Sequence, residues 1–406
     1  MERERVIRYI DQIILFCFCV LVIFLPIAHT ETIRAFAIGI PAGLWIIKAI
    51  LCRRFLFMRT PLDLPILLFT LVAGLSVVTA VDPRYSLHEF IAEWIVGICL
   101  FYLVVNNIRP EQMKYILGAL LLGNVIMVGY GIFEFFRDGG QVLNYATRAG
   151  SLHSGVGTFS TYLVTTIPYI FLALFFLNKT SHRLTILALL SLNLFALLLT
   201  YSRGSWLAII VLALVAGWKF ASRKVFIPAL LLIGLIILLG ASQNIFQYYD
   251  RFTASNTYPD SYRGRWIVAK FYLERIQENP LQMLGFGQRS FVKRHVDFHK
   301  KYEKSQLWHA HNTFLDIAVQ TGVQGLFLFC FLLYRLLKYC HEVGSLEKKT
   351  LMGYVSLATF LMIITFFARN FSDDFFIDDS ALLFWFLSGI VFAIGNGELD
   401  KKHGVG

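Results

Sequence analysis

Charge is scarce in this chain. Only 16% of its 406 residues are Asp, Glu, Lys or Arg, against 57% hydrophobic, where a soluble domain carries about a quarter charged. That balance excludes an ordinary soluble enzyme and leaves an integral membrane protein. Cysteine is scarce as well. The six present (Cys17, Cys19, Cys52, Cys99, Cys330, Cys340) lie in or just beside apolar runs, so no disulfide framework is available outside the membrane. A Walker sequence is missing, and the glycines of LGFG (284–287) lack the strand-to-helix context of a phosphate loop, which excludes direct use of ATP. A G-x-S-x-G elbow is missing too, and nothing points to nucleic acid.

What is abundant is long apolar runs. Twelve are long enough to cross about 30 Å of hydrocarbon as helices, near 10–28, 35–52, 63–80, 90–106, 115–135, 157–177, 184–200, 205–219, 225–241, 313–337, 350–368 and 379–395. The fold class expected is therefore an all-α polytopic membrane protein of about twelve transmembrane helices. Arg3, Arg5 and Arg8 precede the first run without a small-residue cleavage pattern after it, so it reads as a retained helix. With the N-terminus in the cytoplasm, inner segments hold 20 of the 37 Lys and Arg, and short outer segments hold only Arg34, Arg84, Arg137, Arg148, Arg203 and Arg369. Both termini are then cytoplasmic.

The remaining 11 cations sit in one long outer loop between the ninth and tenth spans, about 242–312. The chain divides into spans one to nine (1–241), this mostly helical loop (242–312), spans ten to twelve (313–396) and a tail (397–406). The loop has net charge +5 with its histidines neutral, so an anionic partner is expected. Within it, RWIVAKFYLERIQENP places Ile267, Val268, Phe271, Tyr272 and Ile276 at helical spacing. That pattern predicts an amphipathic helix suited to lie on the bilayer surface, ended by Asn279-Pro280.

Chemistry must come from polar residues on the outer side. His309 and His311, in HAHNTF, stand before an apolar helix, where imidazole suits a general base near neutral pH; an interfacial pair solvating a helix end is the alternative. His295 and His299, four apart with Asp297 between them, have metal-ligand spacing. Their neighbours Lys293, Arg294, Lys300 and Lys301 disfavour a divalent ion, so no metal is expected. Arg148, Arg203, Arg263 and Arg265 share the outer side, and guanidinium forks grip phosphate oxygens without deprotonating. Singly, each is as well explained by snorkelling. Asp316 lies five residues past His311, about 140° round a helix, and is a poor orienter of it. Glu93 and the group Asp373, Asp374, Asp378 and Asp379 remain as orienters, with solvated loop charge the default for the four aspartates.

HNTFLDIAVQTGVQG, with Gly322 and Gly325 ten and thirteen residues after Asn312, resembles the signature of the O-antigen ligase family of the bacterial cell envelope. TYSRGS is similar to that family's T-x-S-R turn. GRW, followed at a helix's length by ENPLQMLGFGQRSF, is similar to its Gly-Arg helix, Asn-Pro break and glycine-rich segment. RAGSLHSGVGTFSTYL resembles the Arg and glycine run opening span six. The resemblance implies a GT-C-like glycosyltransferase architecture in the bacterial inner membrane with a periplasmic active site and no cofactor. It implies His311 as base and Arg203 and Arg265 on the donor diphosphate, Arg148 or Arg289 assisting; His309, Asn312, Gly322, Gly325 and Arg263 carry supporting or unassigned roles.

The reaction so implied moves a glycan from undecaprenyl diphosphate to the lipid A-core oligosaccharide, with inversion at the anomeric carbon. Two relatives in chemistry share the donor: a polysaccharide polymerase and a protein O-oligosaccharyltransferase. A lipid transporter or flippase is the reading from another class, although transporters place ionisable residues near the midplane. Sequence is silent on the oligomeric state.

Overall fold

A backbone crossing lipid must satisfy its own hydrogen bonds, which leaves helices as the solution for apolar runs of this kind. The computed structural model describes residues 2–53, 57–142, 147–153, 155–220, 261–301, 309–347 and 349–403, and it is helical with no strand among them. Nine of the described helices are long and apolar enough to span a membrane. The expected spans 63–80 and 205–219, which are not among these nine, correspond to the 16-residue helix Asp63–Val78 and the 18-residue helix Arg203–Phe220. The expected span 225–241 lies outside the described residues.

In chain order the helices are α1 (Glu2–Phe24), α2 (Glu31–Cys52), α3 (Asp63–Val78), α4 (Pro83–Glu89), α5 (Val96–Asn107), α6 (Met113–Arg137), α7 (Val156–Phe176), α8 (Thr180–Leu199) and α9 (Arg203–Phe220). Then follow α10 (Ser261–Glu278), α11 (Arg289–Arg294), α12 (Val296–Lys301), α13 (Thr313–Leu346), α14 (Leu351–Asn370) and α15 (Asp378–His403). Several boundaries differ from the expected ones, two of them for evident local reasons. The first helix stops at Phe24, short of 28, because Pro26 cannot continue it. The fourth starts seven residues early, because Asp82 caps it through Tyr85 N–H at 3.1 Å and Pro83 sits at its first turn. A π-helical turn, Phe90–Ile95, joins α4 to α5.

Four helices pack on α14, namely α7, α9, α13 and α15, making it the centre of the bundle. At the end that the charge bias assigns to the cytoplasm, buried Asp11 on α1 accepts from Lys48 on α2 and from Arg109 beyond α5, each at 2.6 Å. A carboxylate shared by two cations leaves no bare charge in the bundle.

At the other end α13 breaks. Gly322 has φ +74° and ψ 170°, a backbone region open to glycine alone. The break frees backbone groups that the 280–285 segment takes up: Leu284 N–H donates to Val319 O, Gly285 N–H to Gln320 O, and Val323 N–H to Pro280 O, at 2.9–3.2 Å. Gly325, one turn on, lies against Thr321 and Val72 of α3. Gly322 therefore builds a seat for the outer loop, and Gly325 lets α13 approach α3.

The amphipathic reading of α10 is corrected in its partner. Val268 and Tyr272 are fully buried, with Leu284, Phe291, Ala310 and Val319 as their cluster. The apolar face is thus spent on the loop and on α13 instead of the bilayer, and Trp266, Lys270 and Leu273 are among the residues left exposed. Replacing Gly322 with alanine should cost about 1–3 kcal/mol, because the added Cβ meets the Gln324 side chain and the left-handed backbone. A thermal unfolding midpoint equal to wild type would refute this account of the break.

Candidate active site

Three segments far apart in sequence meet above the break. The turn before α13 brings His309 and His311, the loop between α14 and α15 brings Asp373 and Asp374, and α10 brings Arg265. Asn312 caps α13, its Oδ1 accepting from Phe314 and Leu315 N–H at 2.9 and 3.1 Å. Its Nδ2 donates to Phe371 O at 3.1 Å, fastening the two loops together. Immediately before the cap, His311 adopts φ +51°, an uncommon conformation for a side-chain-bearing residue.

Asp373 is the junction. Its Oδ1 lies 2.8 Å from His311 Nδ1 and 3.3 Å from His309 Nε2, and the two imidazole rings are 4.1 Å apart. Its Oδ2 lies 3.5 Å from Arg265 Nη2 and 3.5 Å from Arg369 Nη2. Burial alone pushes the Asp373 carboxyl up, but the His311 hydrogen bond and the Arg369 and Arg265 guanidiniums hold it well below the usual carboxylate range. Both guanidiniums are fixed by Ser372. Arg265 Nη1 donates to its carbonyl at 2.6 Å, and Arg369 Nη1 to its hydroxyl at 3.0 Å. Arg369 is buried over the Phe375 ring, whereas the Arg265 side chain is 42% exposed.

Below the histidines a second carboxylate organises the scaffold. Asp374 Oδ1 accepts from Thr313 Oγ1 at 2.6 Å and Oδ2 from Gln288 Nε2 at 2.8 Å. Gln288 follows the glycine-rich turn, where Gly285 and Gly287 both take φ +104° against residues 80–89. The default of solvated charge therefore fails for Asp373 and Asp374, which are 9% and 5% exposed. Asp316 accepts from Ala310 N–H at 3.4 Å.

The other expected residues fall at different distances from this centre. Arg203 is exposed at the start of α9, and its neighbour Gly204 packs so closely on Ser372 that a Cβ there would strike the hydroxyl. Arg148 donates from Nε to Thr200 O at 2.8 Å in the same turn, and its charge acts on Arg369. Arg289 is exposed at the start of α11, with its backbone N–H on Tyr85 Oη at 3.1 Å. The Arg263 and His299 side chains lie outside the described residues, and His295 stacks near Phe291 and Phe271. Arg369 was missed by sequence reasoning. Its signal was a lone arginine at the end of an apolar span, four residues before Asp373.

Three potential ligand atoms, from His309, His311 and Asp373, lie within 4.8 Å of one another. That donor set would suit zinc, but a divalent ion there would share its carboxylate with two guanidiniums. The charges present favour hydrogen bonding over metal binding.

Burial, then His311 and Arg265, push His309 down to about 4 against the pull of Asp374 and Asp373. His153 is pushed down to about 4 by burial and by Arg34. Both pKa values fall below the ordinary 6.5, so the unfolded chain binds more protons between pH 6.5 and 4. Stability from each is full above about pH 6.5 and drains away as pH falls to about 4. Unfolding midpoints from pH 7.5 to 4.5 should fall more steeply for wild type than for His309→Gln; parallel curves would show that His309 is not held neutral.

Residues 186–330 match the family model described as O-antigen ligase. That stretch runs from α8 into α13 and so holds Arg203, Arg265 and both histidines, but not Asp373. The chain is 24% identical over 281 residues to an O-antigen ligase of Salmonella typhimurium, covering 63% of this chain and 65% of the relative. It spans just under two thirds of that relative's length. A Rickettsia prowazekii protein with the provisional name polysaccharide ligase is 24% identical over 288 residues, covering 69% of this chain and 68% of the relative.

Proposed function

From the match of residues 186–330 to the O-antigen ligase family model, we propose that this chain transfers a glycan from undecaprenyl diphosphate to the lipid A-core oligosaccharide at the periplasmic face of the inner membrane. The observation that carries this reading is the pairing of His311 with Asp373 beside a half-exposed Arg265. An ionised carboxylate on Nδ1 makes that nitrogen the proton carrier and leaves Nε2 as a free acceptor, the tautomer being assigned from the partner.

His311 Nε2 takes the proton of an acceptor sugar hydroxyl as its oxygen bonds to the donor's anomeric carbon. The bond from that carbon to the diphosphate oxygen breaks, and undecaprenyl diphosphate leaves with the electron pair. Displacement in a single step inverts the carbon. Asp373 stabilises the imidazolium that forms, as a buried carboxylate does for a base histidine. Arg265, Arg203 at the start of α9 and Arg148 meet the negative charge growing on the diphosphate, Arg203 helped by the helix's positive end. Arg289 assists from the rim of the loop. Arg369, with both terminal nitrogens on Ser372 and Asp373, serves the carboxylate and not the substrate. No metal and no nucleotide enter these steps.

The test is capping of lipopolysaccharide by purified protein with a lipid-linked glycan donor and a lipid A-core acceptor. His311→Ala and Asp373→Asn should each lower turnover by roughly 10²–10⁴, the span for a lost general base. Arg265→Ala should lose about 10²–10³ at an unchanged protein level, and a chelator should leave the wild-type rate unaltered. Longer lipid-linked chains or glycosylated protein in place of capped lipopolysaccharide would reassign the acceptor. Lipid movement without a covalent product would overturn the enzyme reading.

A further inference from the structure

Tyr272 and Asp316 each bury a polar atom that has no hydrogen-bond partner. The Tyr272 hydroxyl and Asp316 Oδ2 are both sealed from solvent, and both residues are essentially unexposed. They converge on the same spot. Tyr272 packs in one cluster with Ala310 and Val319, and Ala310 N–H is the donor to the other oxygen of Asp316. Asp316 is also the first of the charges that, after burial itself, hold the Tyr272 hydroxyl well above its ordinary pKa. The hydroxyl can donate and the carboxylate oxygen can accept, in a place closed to bulk solvent where each costs stability until it is satisfied.

The elements involved give this spot its meaning. Tyr272 lies on α10 two turns beyond Arg265, and Ala310 stands between His309 and His311. Asp316 lies on α13 between them. A link from Tyr272 to Asp316 would tie the helix that carries the arginine to the turn that carries the base.

We infer that Tyr272 is a positioning residue, whose hydroxyl is joined to Asp316 Oδ2 across one buried water and so fixes Arg265 relative to His311. The link rests on the transfer reaction for its purpose, but not for its existence. No substrate atom touches it. Its effect is on geometry, which the rate of an oriented displacement reads steeply.

The experiment is a double-mutant cycle with Tyr272→Phe, Asp316→Asn and the pair, in the full chain, followed by thermal unfolding and by transfer kinetics. Tyr272→Phe removes one oxygen and keeps the ring, and Asp316→Asn keeps an acceptor for Ala310. With the link, Tyr272→Phe lowers the unfolding midpoint and cuts kcat about tenfold or more with KM unchanged, and the double variant is no worse than the worse single one. An idle hydroxyl predicts the reverse: a midpoint equal or higher, kcat intact, and additive effects. Coupling in unfolding with no transfer by wild type would keep the link and sink the proposed function. Additive unfolding with active wild type would sink the link alone.

Discussion

One carboxylate, Asp373, joins two imidazoles and two guanidiniums, the latter pair of which would otherwise repel each other. Two imidazoles approach its first oxygen and two guanidiniums its second, with Arg369 only 3% exposed. Removing one partner of a buried ionic group is strongly destabilising, because the remainder is left without counter-charge. The loop that carries Asp373 is held accordingly. Asn370 Oδ1 accepts from Phe375 N–H at 2.7 Å, Ser372 takes both arginines, and Asn312 holds Phe371. The polar ends of α10, α13 and α14 are fitted around that charge, and α9 joins them through Gly204 on Ser372.

The helices were legible because lipid imposes a length, and runs that meet it stand out in a chain with so few charges. Their ends were less so. Pro26 and the Asp82 cap act within one turn, below the scale of a hydropathy scan. For α10 the helical period was read correctly and the partner was not, since a stripe of Val268 and Tyr272 looks the same whether it meets lipid or Phe291 and Val319. Apolar spacing reports a face to be buried and says nothing of what buries it.

The site divides along the same line. His311, Arg265 and the cap Asn312 sit in local patterns that a sequence displays. Asp373 and Arg369 do not, because Asp373 takes its role from contact with His311 across 62 residues, and Arg369 takes its role from that aspartate, four residues on. Four aspartates near the last span were equivalent as text. Burial separates them: Asp373 is held ionised by surrounding cations, while Asp374 serves Thr313 and Gln288.

The two arginines on Asp373 are unequal, and the inequality bears on how an anionic substrate could be met. If both were fully committed to the carboxylate, no positive charge would face outward. If neither were, the histidine would lose its anionic partner whenever a diphosphate drew the arginines off. Buried Arg369 holds Asp373 whatever lies outside, which frees part of the Arg265 fork, 42% exposed, to turn toward solvent. In the proposed reaction a permanent internal cation thus keeps the histidine oriented while a second one is left to engage the leaving group. The same division explains why arginine suits both positions: neither can shed its proton when the other, or the histidine, becomes charged.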